Sequence, residues 1–208
     1  MQVRAEKTKR RILSVAEDEF SAVGFYGARM DTISEKADVN KALIYKYFGS
    51  KEELYKTVLF SVYDRFSVEE NELLALQDLD YREKIRRYVK MEFDYCYSNP
   101  NYVRMIMWEN LDYAKHFKER AFHNSKDPII KGMEEIAAIA HEKGTINENV
   151  DAKQLLLTLY SCCFSYFTNI NTLSLMLGYD MHSREEMEKR IEIVSDMLIT
   201  YVDGGKNE

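Results

Sequence analysis

Ile12, Val15, Ala16, Phe20 and Val23 recur at spacings of three and four with charged residues between them, which predicts an amphipathic helix over about Thr8 to Val23. Gly24 follows at the place of a left-handed C-cap, with Phe25 positioned to fold back on the helix. Residues 30–48 are interrupted at Asp38-Val39-Asn40. Two short helices and a tight turn fit this stretch, with Asn40 as N-cap of the second and Ala42, Leu43, Ile44 and Tyr47 on its packing side. Ser50-Lys51-Glu52-Glu53 is a Ser-x-x-Glu capping box and opens a longer helix through Leu54, Val58, Leu59 and Val62.

Beyond about Phe66 the periodic segments lengthen and their polar faces turn acidic. Asp80-x-x-Glu83 opens a helix carrying Ile85, Tyr88, Val89, Glu92, Phe93 and Cys96, and Asn99-Pro100 separates it from another over Tyr102 to Leu111. Asp127-Pro128 opens a helix to Lys143 that stops at Gly144. Asp151-x-x-Gln154 and Ser183-x-x-Glu186 cap the last two, about Ala152 to Leu177 and Arg184 to Val202. The first of that pair is apolar on more than one face, so it is either central to its domain or covered by a partner chain. A homodimeric four-helix bundle is the natural form of the second solution, with Leu159, Tyr166, Ile191, Val194 and Leu198 as its dimerisation positions.

The count is about nine helices. Composition agrees with an all-α fold: the 208 residues include only 2 Pro and 8 Gly, too few for the turns of a strand-rich protein. With 46% hydrophobic and 31% charged residues the chain is neither collagen-like nor mostly disordered. The richest apolar run, Leu155 to Phe167, is broken by Thr158, Ser161 and Ser165 and falls short of a membrane span. The basic N-terminus lacks the apolar stretch of a signal peptide. Three cysteines, Cys96 and the adjacent Cys162 and Cys163, form neither a disulfide framework nor a metal site, and a cytoplasmic protein without membrane contact or cofactor is expected. Charge is divided. Residues 1–51 hold ten Lys/Arg against seven Asp/Glu, while the rest hold 19 against 28, so a basic head that meets a polyanion sits on an acidic body.

Within the head, Ile33, Ala37, Val39 and Ile44 stand at helix-turn-helix spacing, Ser34 allows a close helix crossing, and Asp38 takes the turn position usually filled by Gly. The stretch DTISEKADVNKALIYKYFGSKEELYKTVL, preceded by a helix ending AVGFYGARM, resembles the N-terminal domain of the TetR family of bacterial transcriptional regulators over about residues 8–60. The run from Lys41 to Phe48 followed by Ser50 to Leu54 carries the likeness best. The rest resembles the family in length and helix content. The resemblance implies a helix-turn-helix DNA-binding domain over 1–50, and a helical effector-binding and dimerisation domain over 51–208. It also implies a homodimer that sets the helix from Asn40 to Phe48 into the major groove twice on a palindromic, double-stranded DNA operator. Lys41, Tyr45 and Lys46 lie off the side defined by Ile44 and can reach bases and phosphates. Tyr47 and Lys51 match family positions that hold the DNA backbone, and Asn40 and Ala42 fall on the same reading helix. Met30 departs from the family's hydroxyl residue, leaving Thr32 as the candidate phosphate contact. Arg4, Lys7, Lys9, Arg10 and Arg11 form either a DNA-following arm or a solvated helix face.

The family likeness further implies a small-molecule effector in the larger domain. Tyr95, Tyr102, Met105, Trp108, Phe117, Tyr160, Phe164 and Phe167 suit an apolar or aromatic one, with Phe122 nearby and core packing as the competing role. Glu92, Glu109, Asp112 and Glu119 in the same region would also suit a cationic lipophilic ligand, but are expected to face water. Repression is the expected function. Control by a partner protein or by oxidation of Cys162 and Cys163 are the alternatives. No phosphate loop, Glu-x-x-His pair or His-x-x-x-His spacing points to an enzyme or a metal, and the four histidines, His123 among them, are scattered.

Overall fold

The computed structural model describes residues 2–76, 78–119, 128–142 and 150–204. They form ten α-helices: α1 (Gln2–Gly27), α2 (Met30–Lys36), α3 (Lys41–Phe48), α4 (Lys51–Leu74), α5 (Tyr81–Ser98), α6 (Pro100–Leu111), α7 (Pro128–Glu142), α8 (Ala152–Thr168), α9 (Ile170–Leu177) and α10 (Arg184–Val202). One 3-10 turn covers Phe117–Glu119. None of these helices is long and apolar enough to cross a membrane. The expected cap Asp127 and stop Gly144 lie outside the described residues, as do Phe122, His123, Lys143 and the side chain of Glu119.

Capping residues account for several starts. The Asn40 carboxamide oxygen accepts from Leu43 N at 2.7 Å, and the Ser50 hydroxyl accepts from Glu53 N at 3.0 Å. Ser183 does the same for Glu186 N at 3.3 Å. Asp151 accepts from Lys153 N at 2.7 Å, one residue earlier than its sequence spacing suggests. Each such bond satisfies a donor that the helix itself cannot.

Two expected elements differ. Gly24 does not end α1: its φ of 70° and ψ of 177° kink the helix, which runs on to Gly27. A Cβ at this position would lie 2.8 Å from the Trp108 ring, so both conformation and space require glycine. The single helix expected over 152–177 is two helices. At Asn169 (φ −112°, ψ 5°) the side-chain amide donates to Ser165 O at 3.0 Å, offering the backbone an alternative to the helical ladder.

The chain divides into two compact units, residues 1–65 with 99–122, and residues 66–98 with 123–208. In the first, Ile12, Phe20, Ile33, Ile44, Leu54 and Leu59 are fully buried, and α6 packs along α1. This first unit takes in the start of α4, which crosses from one unit to the other at residues 65–66, and α6 groups with the helix-turn-helix. In the second, α5 packs against α7, α8 and α10 through Ile85, Val89, Phe93, Ile136, Leu155 and Val194.

That second core corrects the dimerisation positions. Leu159, Tyr166, Ile191, Val194 and Leu198 are all buried within their own chain, so they pack the monomer and present no surface to a partner. The expected helices form, but these five positions face the core of their own unit. On the outside of α10, Ile193, Met197 and Tyr201 form a stripe at four-residue spacing, 51%, 52% and 40% exposed, and Leu157 is exposed on α8.

Candidate functional site

The reading head is built by α1, α2 and α3. Ile33, Ala37 and Ile44 are fully buried, which fixes the angle between α2 and α3. Asp38 makes the turn with φ 49°, in the left-handed region that Asp and Asn tolerate better than most residues. Arg11 donates to the Asp38 carbonyl at 3.3 Å, tying the turn to α1. Met30 is buried in this core, so the residue that departs from the family pattern serves packing. The N-cap of α2 is Arg29, without a side-chain bond, and Thr32 does not cap the helix. Thr32 stays on the first turn, half-buried.

On α3, Ala42, Tyr45 and Lys46 are exposed and Lys41 is half-exposed. Ala42 is therefore not on the packing side; it faces outward with the candidate readers, while Leu43, Ile44 and Tyr47 turn inward to differing degrees. Lys41 is paired, its ammonium 2.9 and 3.0 Å from the Asp31 carboxylate. That hydrogen bond holds its pKa above the ordinary lysine value. Tyr47 is half-buried, with the Lys9 ammonium 5.6 Å from its ring centroid. Lys51 points inward. Its ammonium donates to Ala28 O at 2.6 Å and lies 4.9 Å from the Phe25 ring centroid, and burial lowers its pKa. The basic residues 4–11 are helical from Gln2, so they form a helix face and not an extended arm.

Behind the head, buried Glu109 accepts the backbone N–H groups of His116 and Phe117 at 3.2 and 3.1 Å. Its other oxygen is 2.9 Å from His116 Nδ1. The His116 ring lies 4.7 Å from both Phe25 and Tyr55. Glu109 therefore does not face water; it organises the chain after α6.

The eight effector-pocket candidates divide between the two units. Tyr102, Met105, Trp108 and Phe117 belong to the first unit and Tyr95, Tyr160, Phe164 and Phe167 to the second. Tyr102 and Phe117 both pack on Tyr63, at 6.1 and 4.2 Å. Met105 is fully buried. The Trp108 indole donates to Ser21 O at 3.1 Å and borders a cleft of about 220 Å³ with Phe25, Tyr26, Tyr55 and Asp112. In the second unit Tyr160 stacks on Phe164 at 4.9 Å, Tyr95 packs on Phe66 at 4.8 Å, and Phe167 lies 5.6 Å from Phe93.

Glu92 departs from the expectation that it faces water. It is fully buried on α5, neither carboxyl oxygen has a hydrogen-bond partner among the described residues, and burial pushes its pKa up to about 8. Burial, then Glu92 itself, raises the thiol pKa values of Cys96 and Cys163 as well. An oxidant sensor needs the thiolate, so this environment opposes one at Cys163.

Two family profiles match: "Bacterial regulatory proteins, tetR family" over residues 12–58, and "Tetracyclin repressor-like, C-terminal domain" over 82–198. The chain is 30% identical over 196 residues to the HTH-type transcriptional repressor NicS of Pseudomonas putida, covering 94% of this chain and 92% of NicS. It is 32% identical over 161 residues to the HTH-type transcriptional repressor SCO4008 of Streptomyces coelicolor, covering 74% and 75%. Among solved structures, a TetR-like transcriptional regulator from Rhodococcus sp. RHA1 superposes with a TM-score of 0.69 at 19% identity, covering 95% and 96%. FadR from Bacillus subtilis, in complex with stearoyl-CoA, does so with 0.65 at 16%, covering 90% and 97%. These two share the fold. With its helix-turn-helix built as described and both halves matched, this chain belongs to the TetR family of bacterial transcriptional regulators.

Proposed function

We propose that this regulator is a cytoplasmic repressor, without enzymatic activity, that binds a palindromic operator as a homodimer and is released by a small effector in its larger domain. The observation that carries the reading is the outer face of α3, where Lys41, Ala42, Tyr45 and Lys46 project from a helix anchored by buried Ile44. A short helix fixed at its inner face and lined with cations and an aromatic outside fits a major groove and its phosphates. Repression follows the names of NicS and SCO4008. A ligand-controlled C-terminal domain follows the stearoyl-CoA complex of the structural neighbour FadR. The apolar stripe Ile193, Met197 and Tyr201 supplies a face for the second copy.

Selection of bound duplexes from a random library by purified protein tests the proposal, followed by binding of the winning sequence across a salt series. A palindrome bound by two chains, with affinity falling steeply with salt, is expected. An asymmetric site bound by a monomer would overturn the dimeric reading.

A further inference from the structure

Tyr88, Glu92 and Cys96 follow one another at four-residue spacing on α5, so they form one stripe about 12 Å long on a helix rising ~1.5 Å per residue. All three are buried. The flanking positions Ile85, Val89 and Phe93 are apolar, which makes the stripe a polar seam in an otherwise apolar interface. Other helices bring more polar groups to this core: α8 supplies the Cys163 thiol, close enough to feel the charge of Glu92, and α10 supplies the buried Ser195 hydroxyl. Among the described residues the Tyr88 hydroxyl, both Glu92 oxygens and the Ser195 hydroxyl lack hydrogen-bond partners.

A buried carboxyl without a partner costs free energy in either protonation state: ionised, it lacks a counter-charge, and neutral, its O–H lacks an acceptor. Glu92 with the two thiols is not arranged to hold a metal, since no group of three or more His, Cys, Asp or Glu residues is so placed among the described residues. The chemistry the seam does suit is an N–H-rich cation. The carboxylate supplies charge and two acceptors, and the same core holds the rings of Phe93, Tyr166 and Phe167, with Phe93 5.4 and 5.6 Å from the other two, as apolar surface.

We propose that the polar seam on α5 is the effector site and that Glu92 receives the ammonium or amidinium group of an effector with an apolar body. This rests on the reading that the larger domain senses a small molecule, and it adds what that molecule must carry. Once Glu92 is ionised the site selects against carboxylates, which then meet it as a like charge. The neighbouring titratable groups are Cys96 on α5 and Cys163 on α8. Arg190 on α10 acts on Cys163 in the opposite sense to Glu92, and Tyr88 faces Glu135 of α7 and Glu70. Because a cation binds the ionised form, affinity should rise about tenfold per pH unit as pH climbs from 6 towards 8.

The test measures thermal stability and binding for the intact protein with benzamidine and phenethylamine against benzoate and phenylacetate, in wild type and Glu92→Gln. Stearoyl-CoA is a separate arm. Expected are upward melting shifts with the two cations only, loss of those shifts in Glu92→Gln, and tenfold tighter cation binding per pH unit in wild type alone. If stearoyl-CoA or the acids stabilise both proteins equally and the cations do not, the domain senses a ligand but not through Glu92, and this inference falls while the effector reading stands. If cation binding survives Glu92→Gln, the inference also falls. If no probe in any arm shifts wild type, both are overturned.

Discussion

Replacing Glu92 by Gln removes a proton-binding site and keeps the shape of the side chain. The Glu92 carboxyl is fully buried, and burial moves its pKa from 4.5 to about 8. Between those values the folded chain holds a proton that the unfolded chain has released, so folding stability is fully present below about pH 4.5 and falls as pH rises through about 8. At ~1.4 kcal/mol per pH unit the fall across the window is about 5 kcal/mol, a large part of the ~5–15 kcal/mol that holds a typical domain together. Gln does not titrate, and the histidines contribute equally to both proteins. Urea unfolding followed by circular dichroism at pH 5, 6, 7 and 8, at one protein concentration, should therefore show Glu92→Gln gaining on wild type by about 4 kcal/mol between pH 5 and pH 8. Parallel pH profiles would refute the reasoning, because they would mean that the carboxyl reaches water or a partner and is not held by the core.

Three further perturbations test the head and the outer helix face. Asn40→Ala removes the acceptor for Leu43 N and should cost about 1 kcal/mol in thermal or urea unfolding together with operator affinity, whereas Asn40→Asp should retain both stability and cap. Asp31→Asn frees Lys41 from its pair; DNA affinity should increase and the salt dependence steepen by up to about two for a dimer, and an unchanged slope would show that Lys41 does not reach phosphate. Met197→Glu, on the exposed stripe of α10, should convert dimers to monomers in sedimentation without loss of helicity, while Leu198→Ala, one residue along and buried, should instead cost about 2–5 kcal/mol of folding stability.

Most of the helix starts were legible in the sequence because capping is local chemistry: Asn40, Ser50, Asp151 and Ser183 each bond a backbone N–H two or three residues on. The breaks were harder. Asn169 interrupts an apolar run without glycine or proline, and what ends α8 is a side-chain bond back to Ser165, a competition that periodicity does not register. Gly24 was recognised as a special position, but whether it ends a helix or kinks one depends on Trp108, 84 residues away in sequence, lying against it. The dimerisation residues failed for a related reason. A helix apolar on two sides has one side for its own core and one for a neighbour, and spacing alone does not say which is which.

The DNA-reading surface divides in the same way between local and tertiary causes. That α3 presents Tyr45 and Lys46 outward follows from the phase set by Ile44, so the reading face could be read from one helix. That Lys41 rests on Asp31 and Lys51 on Ala28 could not, since those pairs join residues 10 and 23 apart through the folding of α1, α2 and the start of α4. Both contacts exist in the absence of DNA, and a phosphate would compete with them for the three donors of each ammonium. Exchange of one charged contact for another contributes less to net affinity than a free cation would, but it holds the head in shape until the phosphate arrives. Glu92 shows the opposite relation. Its place among Ile85, Tyr88, Val89, Phe93 and Cys96 was visible at helical spacing, and only the general habit of carboxylates to face water argued against burial. A charged residue in phase with an apolar stripe is thus itself a signal of a buried carboxyl.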